Sequence, residues 1–248
     1  KGFAPGDIKA SGLVKKTSSN GSGLVDFFAK NLAVFPHWLD GRVLHFTMKD
    51  PQKKYMYQLP AEARAKEWRF YNQGALARFS EIIVVEGEND LLSVLDAGIG
   101  HVIGLIGQPS DDQIKTLRVH CAKKHIYLWL DNDDDPEKPL TKGKGFIRKI
   151  CTELAGEQNI RVITYPEEYK DPDDYLRAYA GDRKHEIKRL QEEAVDYLTW
   201  EIAEIAKLEG LDKRLMALEG RRVFAALAEM MEVTQLVYIE KLEAIGLD

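Results

Sequence analysis

From residue 81 onward the sequence predicts an α/β fold, a parallel sheet flanked by helices. Three observations carry this. Ile82-Ile83-Val84-Val85 and Ile126-Tyr127-Leu128-Trp129-Leu130 are short, wholly apolar and rich in β-branched and aromatic residues, the composition of strands buried on both faces. Segments of helical character alternate with them, as in parallel strands joined by right-handed crossovers. Each apolar run ends in acidic residues, Glu86-Gly87-Glu88-Asn89-Asp90 and Asp131-Asn132-Asp133. Carboxylates so placed converge on the edge where open α/β sheets bind ligands.

The elements follow in order. Residues 1–30 carry two loop signals, Ala4-Pro5-Gly6-Asp7 and Ser18-Ser19-Asn20-Gly21-Ser22-Gly23. Val43-Leu44-His45-Phe46 and Tyr55-Met56-Tyr57 read as strands, with Asp40-Gly41 as a hairpin turn. A short charged helix is expected over 61–69. The first strand of the parallel sheet runs into a turn at Gly87. A helix follows with Leu91, Val94 and Leu95 on one face and Gly98 past its end. Residues 102–106 form the next strand, and Ser110 caps a helix reaching about Ala122. Strand 126–130, helix 146–154 and strand 161–165 complete the alternation. Beyond residue 184 the pattern is helical: Val195, Leu198, Ile202 and Ile205 share one helical face, and Gly210 and Gly220 are candidate breaks. The expected organisation is a small α+β part over 1–80, the parallel sheet over 81–168 and a helical subdomain over 169–248.

Composition narrows the function. The two cysteines, Cys121 and Cys151, form no C-x-x-C pair, which argues against a zinc module and a disulfide framework and for a reducing, cytoplasmic setting. No apolar stretch approaches membrane-spanning length. The chain opens on Lys1, so a fragment of a longer protein is expected. Residues 1–80 hold 13 Lys+Arg against 6 Asp+Glu, a net of +7, while the remainder carries −12 of the total −5. A basic first third beside an acidic centre suits a polyanion held by one part and a cation by the other.

The acidic clusters are the candidate chemistry. Glu86 closes the first strand of the sheet, Asp90 falls in the first helical turn after it, and Asp131 and Asp133 point the same way in an extended segment. A third cluster, Lys170-Asp171-Pro172-Asp173-Asp174, follows the last strand. Packed carboxylates repel unless a cation sits among them, and a hard, oxygen-seeking ion, Mg²⁺ or Mn²⁺, is the natural one. For Asp173 and Asp174 taken alone, capping of a helix with Pro172 at its first position is the competing role.

The pattern of apolar run, E-G-x-x-D, then apolar run and D-x-D on a β/α frame resembles the TOPRIM domain of bacterial-type primases, topoisomerases and certain nucleases. Gly41-Arg42-Val43, Lys54-Tyr55, Lys170-Asp171-Pro172-Asp173 and the closing helical segments resemble the catalytic core of bacterial and phage DnaG-type primases. The resemblance implies primer synthesis on a single-stranded DNA template from NTPs, with Glu86, Asp131 and Asp133 catalytic and holding metal. Asp90, Asp171 and Asp173 would complete the acidic rim. Lys49, Lys54 and Arg42 would contact nucleotide or template, and a replicative helicase would be met through regions outside this chain. The chain departs from the family where F-G-G-R is usual and Phe46-Thr47-Met48-Lys49 stands, and in the long stretch from Asp134 to Lys144 after the D-x-D. It thus resembles a divergent member. Phosphodiester cleavage and non-catalytic nucleic-acid binding are the rival readings.

Overall fold

A computed structural model describes residues 14–16, 24–26, 32–50, 56–58, 65–134, 142–154, 159–207, 213–228 and 232–246. Strands β1 (Val14–Lys16) and β2 (Leu24–Asp26) pair antiparallel. Strands β3 (Ala33–Leu39), β4 (Arg42–Lys49) and β5 (Met56–Gln58) form an antiparallel sheet in that order. Asp40 and Gly41 close the β3–β4 hairpin at φ 50° and 76°. Positive φ at both central residues is what a two-residue turn needs to match the strand twist, so Asp-Gly fits there. Behind the hairpin, His37 and His45 are buried. The Trp68 indole N–H donates to His37 Nδ1 at 2.9 Å, and Tyr71 stacks on His37 at 4.3 Å between ring centroids. These aromatics are therefore packing groups here, as is Phe70 in the main core.

The described part of the expected 61–69 helix, from Ala65, is turn, and a four-residue helix, α1 (Ala75–Arg78), follows it. Tyr71 exchanges both backbone hydrogen bonds with Gly104 at 3.0 and 3.1 Å. That contact fastens the connecting segment to the edge of the main sheet.

The main sheet is fully parallel and reads β7-β6-β8-β9, with β6 (Glu81–Val85), β7 (Val102–Gly104), β8 (His125–Leu128) and β9 (Ile160–Val162). The expected strands 102–106, 126–130 and 161–165 are shorter than anticipated. Their continuations still bond to neighbouring strands, Leu105 N–H to Val85 C=O, Trp129 N–H to Val84 C=O and Ile163 N–H to Leu128 C=O, but then peel away into the loops that build the site.

Alternation along β6 sorts its side chains between two cores. Ile82 and Val84 join Ile114 and Leu117 of α3 (Asp111–Cys121) and Phe146, Ile147 and Ile150 of α4 (Gly143–Glu153). Ile83 and Val85 join Leu91 and Val94 of α2 (Glu88–Asp96). Tyr175 and Leu176 of α5 (Pro172–Ala178) and Ile187 and Leu190 of α6 (Arg183–Glu192) belong to this second cluster. Helices α5 and α6 thus cover the sheet, and a division at 168/169 runs through a shared core. Leu95 faces solvent, not that core. Ser110 caps α3 with a reciprocal bond to Gln113, and α4 starts earlier than expected, at Gly143.

Helix α7 (Tyr197–Ala206) has two working faces. Trp200 enters the α3–α4 core, while Leu198, Ile202 and Ile205 pack on Val223 and Leu227 of α8 (Lys213–Ala228) and Leu242 of α9 (Glu232–Ala244). Val195 precedes the helix and pairs by backbone with Val162. Gly220 lies inside α8, not at a break, because burial of the helix face on α7 outweighs about 1 kcal/mol of glycine propensity. Gly210 lies outside the described residues. Among the described residues no helix is long and apolar enough to cross a membrane.

Candidate metal centre

The strand order decides where the carboxylates meet. From β6 the chain turns through α2 to β7 on one side; from β8 it turns through α4 to β9 on the other, and the two helices lie on opposite faces. The crevice between the ends of β6 and β8 is therefore the topological switch point of the sheet, where ligands bind in this architecture. Glu86 leaves β6 and Asp131 and Asp133 follow β8, and one oxygen from each lies within 4.8 Å of the others. Past β6 the backbone is held by the Ile106 N–H, which donates to Glu86 C=O at 2.8 Å with Ile106 at φ 60°. A β-branched residue in that region costs on the order of 1 kcal/mol or more, a strain placed at the rim of the site.

The D-x-D segment is clamped on both sides. Asn132 N–H donates to Lys170 C=O at 2.8 Å, and the Asn132 amide donates to Tyr169 C=O at 3.0 Å. The Tyr165 hydroxyl shares its one proton between Leu130 C=O at 3.1 Å and Lys170 C=O at 3.2 Å. Across from these, Gly143 N–H donates to Asp133 Oδ1 at 3.1 Å, so the amino end of α4 faces a carboxylate.

Other sequence-derived candidates have different partners. Asp90 accepts from Gly87 N–H at 2.9 Å with one oxygen and from Asp173 N–H at 3.2 Å with the other. It ties α2 to α5 and stands outside the three-carboxylate group. Asp171 caps α5 through Asp174 N–H, with Pro172 at the first helical position. Asp173 accepts from the Ser93 hydroxyl and pairs with Arg177 at 2.7 Å. Asp171, Asp173 and Asp174 nonetheless bring oxygens within 4.8 Å of one another. Lys49 lies 3.2 Å from Glu88, whose side chain is fully buried at the start of α2. Arg42 closes the β3–β4 hairpin and meets exposed Glu67 at 3.3 Å. Lys54 lies outside the described residues.

Sequence reasoning named Lys170 and Glu88 within their clusters but gave them no role, and it missed Arg148. Lys170 Nζ sits 2.9 Å from Asp131 Oδ2, and its place directly before Asp171 was the available signal. Arg148 of α4 lies 3.1 Å from Glu201 of α7 and 2.9 Å from Asp134, and no local pattern announces that pairing.

The donor set fits a hard cation. Glu86 Oε2 and Asp131 Oδ1 are buried without a hydrogen-bond partner, the state of oxygens shaped to meet an ion. Three carboxylates and no sulfur or imidazole favour an oxygen-seeking divalent ion. Burial pushes Glu86 up to about 8, aided by the charges of Asp131, Asp133 and Asp90 and opposed by Lys170. Burial likewise lifts Asp90 to about 7 and Asp131 to about 6, the latter opposed by Lys170.

The sign of the pH dependence follows. These carboxyls bind protons more tightly folded than unfolded, so their burden on stability grows as pH rises from about 4 toward 8. Glu167 and Glu186, lowered to about 2 by lysine and arginine partners, stay ionised in the folded chain over this range, and their stabilising contribution is nearly complete above pH ~5. His120, lowered by burial, opposes the trend at a single group. Chelator-treated protein is expected to melt on the order of 5 °C lower at pH 8 than at pH 5, with Mg²⁺ or Mn²⁺ recovering the loss. A metal-free melting temperature that climbs over this range contradicts the assignment.

Residues 83–176 match the Toprim-like family. The crystal structure of the RNA polymerase domain of Mycobacterium tuberculosis primase DnaG superposes with a TM-score of 0.71 at 18% identity, covering 98% of this chain and 78% of that one. The chain has the fold of the solved DnaG primase catalytic cores, with its Toprim-like match at the centre of that fold. The same M. tuberculosis domain in complex with a double-stranded DNA oligomer bearing a 6-nucleotide overhang gives 0.71 at 16% identity, covering 100% and 79%. The DNA primase of Synechococcus elongatus is 26% identical over 221 residues, 86% of this chain and 31% of that protein. The chain spans about a third of the length of the curated relatives it matches.

The span matched by the Toprim-like family begins in β6 and ends in α5. It contains all three acidic clusters and omits both the β3–β5 sheet, which supplies Lys49, and α7, which supplies Glu201.

Proposed function

We propose that this chain is the catalytic core of a DNA primase, joining ribonucleotides on a single-stranded DNA template. The observation that carries the reading is the meeting of Glu86, Asp131 and Asp133 at the switch point of a DnaG-type core, with two buried oxygens left open toward a cation. The DNA-bound relative supports a nucleic-acid template, and the basic first third of the chain suits its phosphates.

In the reaction, the primer 3′-hydroxyl attacks the α-phosphate of an NTP and pyrophosphate leaves. Glu86, Asp131 and Asp133 would hold Mg²⁺ or Mn²⁺, directly or through water, which supplies a hydroxyl of lowered pKa and charge to offset the phosphates. Asp90 keeps α2 and α5 in register, so the loops bearing Glu86 and Asp171 stay opposed. Asp171 and Asp173 line the outer acidic rim. Lys49, with its side chain 29% exposed beside Glu88, and Lys54 would meet phosphates of nucleotide or template, with Arg42 farther out on the same sheet. A replicative helicase would be met through regions outside this chain.

The test is primer synthesis by the full chain on single-stranded DNA with NTPs and Mg²⁺ or Mn²⁺. Asp131→Asn is expected to lower the rate by about 10²-fold or more, as loss of a charge-stabilising group does. Cleavage of the DNA without synthesis would favour the nuclease reading, and neither activity the binding module.

A further inference from the structure

Among the described residues, Lys170 is a cation that faces the acidic centre. Its ammonium stands 2.9 Å from Asp131 Oδ2 and 3.7 Å from Asp171 Oδ2. The backbone under it is fixed to the site: Lys170 C=O accepts from Asn132 N–H, between the two aspartates, and from the Tyr165 hydroxyl. The side chain is nonetheless 59% exposed, so it can swing into solvent without leaving a cavity. The two sides of Asp131 differ: Oδ2 takes the lysine, while Oδ1 is buried and has no hydrogen-bond partner.

We infer that Lys170 is a built-in competitor for the metal, a tethered counter-cation that steadies Asp131 in the metal-free protein and opposes entry of a divalent ion. The inference rests on the metal centre proposed above. Two positive charges a few ångströms apart repel, and the ammonium also occupies an oxygen that an ion would use. Lys170 therefore raises the concentration at which the site fills. In exchange it lessens the repulsion among Glu86, Asp131 and Asp133 when no ion is bound.

The experiment is direct Mn²⁺ binding to the chelator-stripped full chain, followed by electron paramagnetic resonance, with melting curves in parallel. Lys170→Met keeps the aliphatic stem and removes the charge; Lys170→Arg keeps the charge. Lys170→Met is expected to bind Mn²⁺ on the order of tenfold more tightly and to melt lower than the parent without metal. Lys170→Arg should stay within about twofold of the parent, by the same charge argument. Unchanged or weaker Mn²⁺ binding by a folded Lys170→Met overturns the inference; a structural role alone would weaken it. Lys170→Gln serves the same comparison if the methionine variant fails to fold. Asp131→Asn separates the two readings. If the parent binds Mn²⁺ and Asp131→Asn does not, the metal centre stands and only the lysine is on trial. If Asp131→Asn binds as the parent does, the centre and the inference fall together.

Discussion

Gly143→Ala is expected to cost about 3 kcal/mol of stability and to weaken divalent-metal binding by about 10²-fold. A Cβ at this position would lie 2.0 Å from the Asp131 carbonyl oxygen, 2.6 Å from its carbon and 2.8 Å from Asp131 Cβ. Two of those atoms are backbone, so no side-chain rotation relieves the clash. Neither partner can yield cheaply. The β8 side is locked by Ile126 and Leu128, and α4 by Phe146, Ile147 and Ile150, all in one core cluster. The shift must then fall on Asp131 and on the Gly143 N–H bond to Asp133, the two residues that have to meet Glu86. Lys142→Ala, at an exposed position with no side-chain cap bond, should stay within about 0.5 kcal/mol of the parent. Denaturant melts and Mn²⁺ titration measure both effects. Parent-like binding in Gly143→Ala would show that the close approach is not what sets the D-x-D geometry.

The second large effect is expected at Arg148. Its guanidinium is almost buried, as is Glu201, and they lie 3.1 Å apart, with Trp200 5.5 Å from the guanidinium carbon. Removing one member of a buried ion pair costs about 3–5 kcal/mol, because the remaining charge stays in a poorly solvated place. Arg148→Ala should therefore lower stability by that amount in equilibrium unfolding. Asp134→Asn, at a partly exposed partner of the same arginine, should cost less than about 1 kcal/mol. Arg148→Ala should also loosen the segment after Asp133, since Arg148 holds Asp134 at 2.9 Å, and so raise the Mn²⁺ needed for half-saturation. Equal destabilisation by the two variants would contradict the buried-pair account.

These two residues show where the sequence was readable and where it was not. Glu86, Asp131 and Asp133 were legible because each follows an apolar run whose burial is forced by composition, and strand ends in a parallel sheet share one edge. The Asp40-Gly41 turn, the Ser110 cap and the Asp171-Pro172 helix start were legible because their chemistry is local, involving groups within three residues. The described part of the helix expected over 61–69, from Ala65, departs from the expectation on the opposite ground. It is held by distant contacts, Ala65 N–H on Leu44 C=O and Trp68 on His37, against which local propensity is weak. Gly143 appeared in the sequence as the end of an unusually long loop. Only the folded chain returns it to within touching distance of Asp131.

By itself, the order of residues determined the fold class and the three-carboxylate centre, because periodicity and strand-end position are properties of neighbours along the chain. The tertiary structure decided the charge balance around that centre. It set Lys170 on Asp131, brought Lys49 across from another sheet to Glu88, gave Asp90 to backbone amides instead of the centre, and joined Arg148 to Glu201 over 53 residues. Electrostatic partnership depends on distance and burial, and those exist only once the helices have closed on both faces of the sheet.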